Sequence, residues 1–452
     1  MNDIMEKISA FVWGPVTLVL IVGTGLYLTF RLGFLQFRTL PYALRLAFSP
    51  KRQDKESKGD ISHYEALTTA MAATIGTGNI VGVATAVVLG GPGAVFWMWI
   101  SALFGMATKY SEAILAVKYR VVNSKGQMSG GPMYYLERGL KAKWLGVLFA
   151  IFGAIAAFGI GNMVQSNSVS DALERSFNVP TWVTGIILTV LTGLVILGGI
   201  KSIGRVTAFF VPIMALFYVI GGLIIMVMNI DQVPSVIGLI FNDAFTGSAL
   251  GGGVLGTVIR YGVARGVFSN EAGLGSAPIA AAAAKTDYPG RQALVSMTQV
   301  LIDTIIVCSI TGITIVMAGL AGSGLEGGDL TAASFSAFLG DTGGYIVTIG
   351  IVLFAFSTLV GWSYYGEKCF SYLFNDKAIP YYRVVFVLAV MYGAVEQLSV
   401  VWDIADIMNA LMAFPNLIGL LGLSGVVVYE TKKFLKVAKE EERERKRASR
   451  VS

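Results

Sequence analysis

Long apolar segments separated by short polar ones run along the whole chain. The first covers residues 11–30, and about 20 apolar residues in a helix can cross the hydrocarbon core of a bilayer. Because that core offers no water to unpaired backbone groups, such segments predict transmembrane helices. Ten further segments follow, at residues 64–90, 93–119, 144–168, 181–200, 205–228, 249–281, 292–319, 345–372, 381–398 and 408–430. The pattern therefore predicts an all-α integral membrane protein with about eleven transmembrane helices.

The spacing of these segments predicts four regions. Residues 1–63 would form an extra N-terminal transmembrane helix and a basic cytoplasmic segment, in which residues 34–48 mix arginines with aromatic side chains and would lie on the membrane surface. Residues 64–228 and residues 229–430 would form two repeats of five helices each. Residues 431–452 are strongly charged and would form a solvated cytoplasmic tail.

Composition agrees with this interpretation. Hydrophobic residues make up 55% of the chain and charged residues only 14%, whereas soluble domains carry about 25% charged residues. The 54 glycines are typical of helices that pack closely in lipid. We therefore expect one integral membrane domain and not a series of soluble domains.

Lysine and arginine concentrate in alternate loops, which predicts the orientation. With the N-terminus outside, the basic loops at residues 31–63 and 118–143 and the basic tail all face the cytoplasm, as the positive-inside rule requires. The opposite loops carry acids, among them Asp231 and Glu326. We expect a multi-pass protein of the cell membrane with a cytoplasmic C-terminus. This bias also accounts for the net charge of +6, so no nucleic-acid partner is expected.

Two apolar segments are interrupted by glycines and polar residues. The first interruption reads ATIGTGNIVG, from Ala73 to Gly82, and the second reads YGVARGVFSNEAGLGSAP, from Tyr261 to Pro278. Unwound backbone occurs at membrane depth only where it lines a cavity or a binding site. Each interruption lies in the first segment of its group of five, which predicts an inverted repeat whose two discontinuous helices meet at a midplane site. The glycines could instead form helix-packing faces.

Several ionisable residues fall inside apolar segments, where they are costly and usually functional. Glu271 could pair with Arg265 or Arg260, or it could contact a substrate. Asp303 lies about a dozen residues into its segment. Lys109 and Glu112 are about one helical turn apart, which favours a structural pair.

Three motifs carry a family resemblance. GGPGAVFWMWISALFG, which begins at Gly90, strongly resembles the signature of the sodium:alanine (glycine) symporter family. RGVFSNEAGLGSAP and ATIGTGNIVG are the second and third matches, and the resemblance covers nearly the whole chain. It implies sodium-coupled import of alanine or glycine by alternating access, on the inverted-repeat fold of the bacterial leucine transporter. Sodium would be the co-transported ion, and the leading helix would be an addition to a ten-helix core.

A zwitterionic amino acid needs partial charges of both signs, and unwound helices supply them without ionic groups. The amides of Thr77, Gly78 and Asn79 could bind the carboxylate, and Gly76 would let the backbone approach closely. The carbonyls near Phe268 could hold the ammonium group. By similarity to the leucine-transporter pattern, the Thr74 carbonyl should face the ammonium group and Trp362 the side chain. The predicted substrate-binding residues are Thr74, Gly76, Thr77, Gly78, Asn79, Gln165, Phe268, Ser269, Glu271, Leu274 and Trp362.

Two sodium sites are suggested by oxygen-bearing residues near the interruptions, mainly because of the family resemblance. The predicted first site comprises Thr74, Asn79 and Ser269, with Asp303 or Thr304 as a further candidate. The predicted second site comprises the carbonyls of Ala72 and Ile75 together with Phe354, Ser357 and Thr358. Serine and threonine in helices also bond to their own backbone, and this alternative stays open for Ser357 and Thr358.

Other functions remain as alternatives. A proton-coupled amino-acid transporter would use Glu271 or Asp303 to carry the proton. A channel would need a continuous polar lining, whereas the polar residues here cluster near the two interruptions. Metal sets and nucleophile motifs typical of enzymes are not found in the sequence, so no enzymatic activity is expected. The pattern does not choose between alanine, glycine and serine, and it does not identify an oligomeric partner.

Overall fold

The computed structural model describes residues 7–8, 11–49, 57–246, 254–396 and 399–451. The predicted all-α architecture is confirmed, since helices make up nearly all of this part of the chain. The first half contains α1 (Pro15–Arg31), α2 (Leu35–Phe48), α3 (His63–Thr74), a 3-10 turn (Thr77–Asn79), α4 (Val81–Gly90), α5 (Ala94–Lys118), α6 (Pro132–Arg138), α7 (Lys143–Phe158), a π-helical turn (Gly159–Met163), α8 (Val164–Phe177), α9 (Thr181–Ile196), α10 (Gly199–Met228) and α11 (Val233–Thr246). A small antiparallel hairpin, β1 (Val121–Val122) and β2 (Met128–Ser129), follows α5.

The second half also consists mainly of helices. It contains α12 (Val254–Asn270), α13 (Pro278–Ala281), α14 (Pro289–Val300), a π-helical segment (Leu301–Cys308), α15 (Ser309–Ala318), α16 (Gly327–Leu339), α17 (Asp341–Phe374), a 3-10 turn (Asp376–Ala378), α18 (Ile379–Val395), α19 (Ser399–Gly422) and α20 (Ser424–Val451). The predicted start of the segment 249–281 lies partly outside the described residues.

Several helices are long and apolar enough to cross a membrane. Within the described residues there are six of these, or up to eight if each of two bent helix pairs counts as one span. Apolar side chains also point outward, as they do in lipid: Phe209 is 73% exposed and Val227 is 69% exposed on α10. The chain is therefore a multi-pass membrane protein. The count of eleven spans and the five-plus-five repeat remain predictions.

Both ends of the chain fold against this bundle. α1 and α2 meet at an angle of 84°, and Gly33 and Phe34 at the corner have positive φ values of 64° and 55°. At the other end, the predicted segment 408–430 is wrong in its bounds, because α19 ends at Gly422 and a separate helix, α20, begins at Ser424.

The tail helix α20 is not solvated on all sides, contrary to expectation. Phe434 is fully buried, and a Cβ at Gly290 would lie only 2.7 Å from the Cβ of Phe434. Arg291 at the start of α14 lies with its guanidinium 5.3 Å from the centre of the Phe434 ring and donates to both carboxylate oxygens of Glu441. The sequence did not predict this contact, because the tail is mostly charged and its buried side chains, among them Phe434 and Ala438, lie on one helix face.

Candidate functional site

The first interrupted helix breaks between α3 and α4. α3 ends at Thr74, Gly76 is extended with φ −138° and ψ −153°, and the two helical pieces differ in direction by 62°. The Asn79 side chain accepts a hydrogen bond from the Gly76 amide (2.9 Å) and so stabilises the corner. The break therefore exposes the amides that open the 3-10 turn, where a helix leaves its first donors unpaired.

The second interrupted helix breaks after α12. Glu271, Gly273 and Gly275 all have positive φ values, of 58°, 94° and 87°. Glycine adopts such values without a steric penalty, whereas the left-handed conformation of Glu271 is strained. The Asn270 side chain supports the turn by accepting from the Ala272 amide (2.9 Å). The unwound stretch therefore lies just beyond Phe268 and Ser269, where the sequence predicted it.

The two breaks touch each other and α17. A Cβ at Gly78 would come within 3.3 Å of the Phe268 ring and of the Ser269 Cα. A Cβ at Gly76 would overlap the hydroxyl of Thr358. These two glycines thus permit the close approach of backbone that brings three helices together at one point.

A small pocket with a volume of about 20 Å³ lies at this junction. This is room for about one water molecule, so a larger ligand requires the walls to move apart. Eight of the predicted substrate-binding residues line it: Thr74, Gly76, Thr77, Gly78, Gln165, Phe268, Glu271 and Trp362.

Glu271 and Trp362 form one wall of the pocket. The indole Nε1 of Trp362 donates to one carboxylate oxygen of Glu271 (2.9 Å), and the hydroxyl of Ser276 donates to the other. Glu271 is therefore held by neutral donors, while Arg265 lies over the Phe268 ring at 5.6 Å. Of the two alternatives for Glu271, the geometry favours an acid that faces the pocket.

Gln165 and Thr74 occupy other parts of the wall. The Gln165 amide donates to the Thr77 hydroxyl (3.2 Å) and to the Ile160 carbonyl (2.9 Å). The Thr74 hydroxyl donates to the Ala70 carbonyl of its own helix (3.0 Å), so its carbonyl is the group that remains for a ligand.

Three predicted residues lie elsewhere. Asn79 and Ser269 point away from the pocket into a neighbouring cluster around Asp303, and Leu274 is fully buried and does not line the cavity. Four further residues line it: Ala73, Ile160 and Asn409, which the sequence did not indicate, and Thr358, which was predicted only as a ligand of the second sodium site. Asn409 alone carried a readable signal, because an asparagine in an apolar helix needs a polar partner.

The cluster around Asp303 is the predicted first sodium site. Its carboxylate accepts hydrogen bonds from Asn79 Nδ2 (2.8 Å), Ser269 Oγ (2.9 Å) and Thr304 Oγ1 (2.8 Å). Asp303 lies on the π-helical segment before α15, a widened turn that is frequent at functional sites. Both helix breaks thus present oxygen-bearing side chains to one buried carboxylate, although Thr74 takes no part through its hydroxyl.

The predicted second sodium site also comes together. Ser357 donates to the carbonyls of Ala72 (3.1 Å) and Ile75 (3.3 Å), and Thr358 donates to the carbonyl of Ala72 (3.2 Å). Both hydroxyls also bond to the Phe354 carbonyl of their own helix, at 2.8 and 3.0 Å. All five predicted residues therefore contact one another across the gap between α3 and α17.

Two larger cavities open on one side of the pocket. One, of about 260 Å³, shares Thr77 and Phe268 with it and is also lined by Arg265. The other, of about 580 Å³, shares Val81 and Thr85 with the 260 Å³ cavity. The three cavities thus neighbour one another along one side of the 3-10 turn and α4, where Thr77, Val81 and Thr85 follow at intervals of four.

Comparison with known proteins places this geometry in context. The chain matches the sodium:alanine symporter family over residues 1–448. It is 61% identical over 447 residues to the sodium/alanine symporter AgcS of Methanococcus maripaludis, covering 97% of this chain and 98% of that protein. It is 37% identical to a putative sodium/proton-dependent alanine carrier protein, YrbD, of Bacillus subtilis, covering 94% of this chain and 90% of that protein.

A solved structure resembles most of the fold. The crystal structure of MhsT in complex with L-phenylalanine matches with a TM-score of 0.61 at 14% sequence identity, covering 83% of this chain and 93% of MhsT. At this identity the likeness concerns the fold alone, and it confirms the predicted transporter fold.

Proposed function

We propose that this chain, which belongs to the sodium:alanine symporter family, imports a small neutral amino acid, alanine or glycine, together with sodium by alternating access. The observation that carries the proposal is the meeting of two helix breaks at one small pocket, flanked by two clusters of oxygen atoms. An importer of small zwitterions needs this combination, because backbone at a break offers partial charges of both signs.

The substrate carboxylate binds to the amides of the 3-10 turn, Thr77–Asn79, at the positive end of the outer half-helix. Its ammonium group faces the Thr74 carbonyl and the Glu271 carboxylate, both of which line the pocket. Trp362 and Phe268 limit the space for the side chain. A wall of this bulk supports a substrate with a short side chain.

Sodium binds at the two oxygen clusters. At the first site, Asp303 supplies a full negative charge and Asn79 and Ser269 supply neutral oxygens, once their donors have turned away from the carboxylate. At the second site, the carbonyls of Ala72 and Ile75 and the hydroxyls of α17 surround the ion. Each site joins a helix break to another helix, so an ion bound there favours the closed arrangement of the pocket.

The protein lies in the membrane with its N-terminus outside and its C-terminus in the cytoplasm, as the distribution of lysine and arginine favours. In this orientation the 580 and 260 Å³ cavities open to the outside. Phe268 lies between the nearer cavity and the pocket and separates the substrate from the outer solution.

Proton coupling is the second candidate, and two buried carboxylates favour it. Glu271 and Asp303 are 3% and 0% exposed, and a proton on either acid would replace a cation there. The relative YrbD of Bacillus subtilis is a putative sodium/proton-dependent alanine carrier protein.

Binding of radiolabelled alanine to the purified protein tests the proposal. We expect saturable binding in sodium chloride and none in potassium chloride at the same ionic strength. Binding that is equal in both salts, and that instead follows a pH titration, would contradict sodium coupling and support the proton. Glycine, serine and leucine as competitors then define the substrate class, and leucine should fail.

A further inference from the structure

Lys109 is a fully buried lysine that the proposed sites do not use. Its side chain is 1% exposed, and within the described part of the chain its Nζ has no hydrogen-bond partner. The predicted pair with Glu112 does not form a hydrogen bond. Glu112 instead accepts from the Gly273 amide (3.0 Å) and from Asn416 Nδ2 (2.7 Å), and its other oxygen has no partner among the described residues.

The face of α5 that carries Lys109 packs on the second helix break. Gly105, Lys109 and Glu112 follow one another at spacings of four and three, so they share one face. A Cβ at Gly105 would lie 3.0 Å from the Cβ of Ala272, and Glu112 binds Gly273. Lys109 lies between these two contacts and therefore faces the unwound stretch.

Three carboxylates share this buried region with Lys109. Glu112 lies on the same face of α5, Glu271 precedes the Ala272–Gly273 stretch that this face contacts, and Ser269 of the same break donates to Asp303 (2.9 Å). Lys109 interacts electrostatically with Glu112, Glu271 and Asp303, and none of the three forms an ion pair with it within 4.0 Å in the described structure. Charges in a buried environment act on one another over longer distances than in water, because little solvent screens them. The ammonium group therefore contributes to the potential at the Asp303 cluster without touching it.

We propose that Lys109 is a built-in counter-charge that lowers the affinity of the Asp303 cluster for sodium, so that the ion can leave into the cytoplasm. The inference rests on the proposed function. Lys109 is then a positioning residue for the ion, since Lys109 acts on the site that Asp303 forms and does not touch the ion. A carrier must release what it binds, and a carboxylate buried among several oxygens would otherwise hold a cation tightly. A fixed positive charge nearby repels the bound ion at every stage of transport.

The rival explanation is that Lys109 only stabilises the fold as a counter-ion of Glu112. Removing one partner of a buried charge cluster is then destabilising, without any particular effect on sodium. The two explanations differ in the half-saturating sodium concentration. Only the counter-charge role predicts that this concentration falls when Lys109 is replaced by an uncharged residue.

The experiment measures alanine binding to purified protein, and uptake into proteoliposomes, across a sodium titration. We compare Lys109→Met and Lys109→Gln with Lys109→Arg, which keeps the charge. The matched control is Lys368→Met, since Lys368 is also 1% exposed but bonds to Ser129 and has Glu367, Asp60 and Asp376 as its acidic neighbours.

For both neutral variants we expect the half-saturating sodium concentration to fall by about tenfold, as expected for loss of one buried like charge, and the maximal uptake rate to fall. This tenfold change corresponds to about 1.4 kcal/mol. The half-saturating sodium concentration of Lys109→Arg and of Lys368→Met should stay within about twofold of the wild-type value, because the first keeps the charge and the second removes a charge with other acidic neighbours. An unchanged or increased sodium requirement in the neutral variants would overturn the inference. The inference would also be overturned if Lys109→Met and Lys109→Gln both failed to fold while Lys109→Arg folded. If the wild type itself binds alanine independently of sodium, the proposed function fails instead.

Discussion

Trp362 and Glu271 form one unit in the wall of the pocket. The indole bulk limits the space, and its N–H donates to the carboxylate at 2.9 Å. The strained backbone of Glu271, with φ 58°, aims this acid at the pocket. A residue held in an unfavourable conformation at a break is typical of a functional position.

Replacing Trp362 separates bulk from hydrogen bonding. In Trp362→Ala we expect leucine to become a competitor and alanine affinity to fall at least tenfold, because the wall is lost and Glu271 loses a donor. Trp362→Phe keeps most of the bulk, so it should weaken alanine binding but still exclude leucine. Competition binding with labelled alanine gives both quantities. Unchanged substrate range and affinity in Trp362→Ala would mean that this ring does not contact the substrate.

The hydroxyls of Ser357 and Thr358 test the second sodium site. Removing either one takes a hard oxygen from a desolvated ion, so each alanine variant should raise the sodium requirement about tenfold, or roughly 1.4 kcal/mol. Because sodium and substrate are linked, apparent alanine affinity should fall most at low sodium. Ser363→Ala is the control, since that hydroxyl donates to the Val360 carbonyl of the same helix (2.7 Å). Wild-type sodium dependence in the double variant would mean that these hydroxyls serve only their own helix.

Sequence reasoning found most of the pocket because glycines and polar residues in an apolar segment have few other uses. It placed Asn79 and Ser269 in the pocket, whereas their side chains point to the Asp303 cluster. The direction of a side chain at a break depends on backbone angles that no periodicity predicts. It missed Ile160 and Ala73 for a different reason: apolar residues in apolar helices carry no signal of their own.

Among the elements, the broken helix α3–α4 depends on Gly76. A methyl group at this position would overlap the Thr358 hydroxyl, whereas a methyl group at Gly82, the second residue of α4, would meet no atom within 4 Å. We expect Gly76→Ala to reduce alanine binding more than tenfold, because it forces apart the helices that form the pocket and the second sodium site. Gly82→Ala should bind normally and be slightly more stable, because alanine favours helix. Equal effects of the two substitutions on binding would contradict close packing at Gly76.

The tail helix α20 is an element that sequence reasoning interpreted differently. Its charged residues dominate the composition, while its contact with the bundle depends on Phe434 and on Glu441. Among the side chains described after Thr431, only Phe434 and Ala438 are buried. Two residues are too few to stand out among so many charges, so burial of this face could not be predicted.

Truncation of Phe434 should release the tail. Loss of a fully buried phenylalanine costs about 3–5 kcal/mol in well-packed cores, so Phe434→Ala should lower the unfolding temperature and expose residues 435–451 to protease. Lys436→Ala, at an exposed position of the same helix, is the control. The two variants should differ in both thermal unfolding and limited proteolysis. Identical behaviour would mean that the Phe434 contact contributes little to holding the helix.

At the scale of the whole molecule, apolar side chains face outward and polar ones meet at the helix breaks, the reverse of a soluble protein. Asp303, Asn79 and Glu112 are each 0% exposed, whereas Phe209 on α10 is 73% exposed. The all-α class could be predicted because the hydrocarbon core requires spanning segments to pair their backbone internally, and the placement of both breaks because glycines and polar residues interrupt two apolar segments. The number of spans could not, because interrupted and bent helices make segment length ambiguous.

The most direct test of coupled transport is uptake of labelled alanine into proteoliposomes that contain the purified protein. With an inward sodium gradient, the account predicts accumulation of alanine above its external concentration, and it predicts no accumulation when potassium replaces sodium. The Ser357→Ala/Thr358→Ala double variant should accumulate alanine only at much higher sodium. Accumulation that persists without sodium, or that follows an imposed proton gradient alone, would contradict the account.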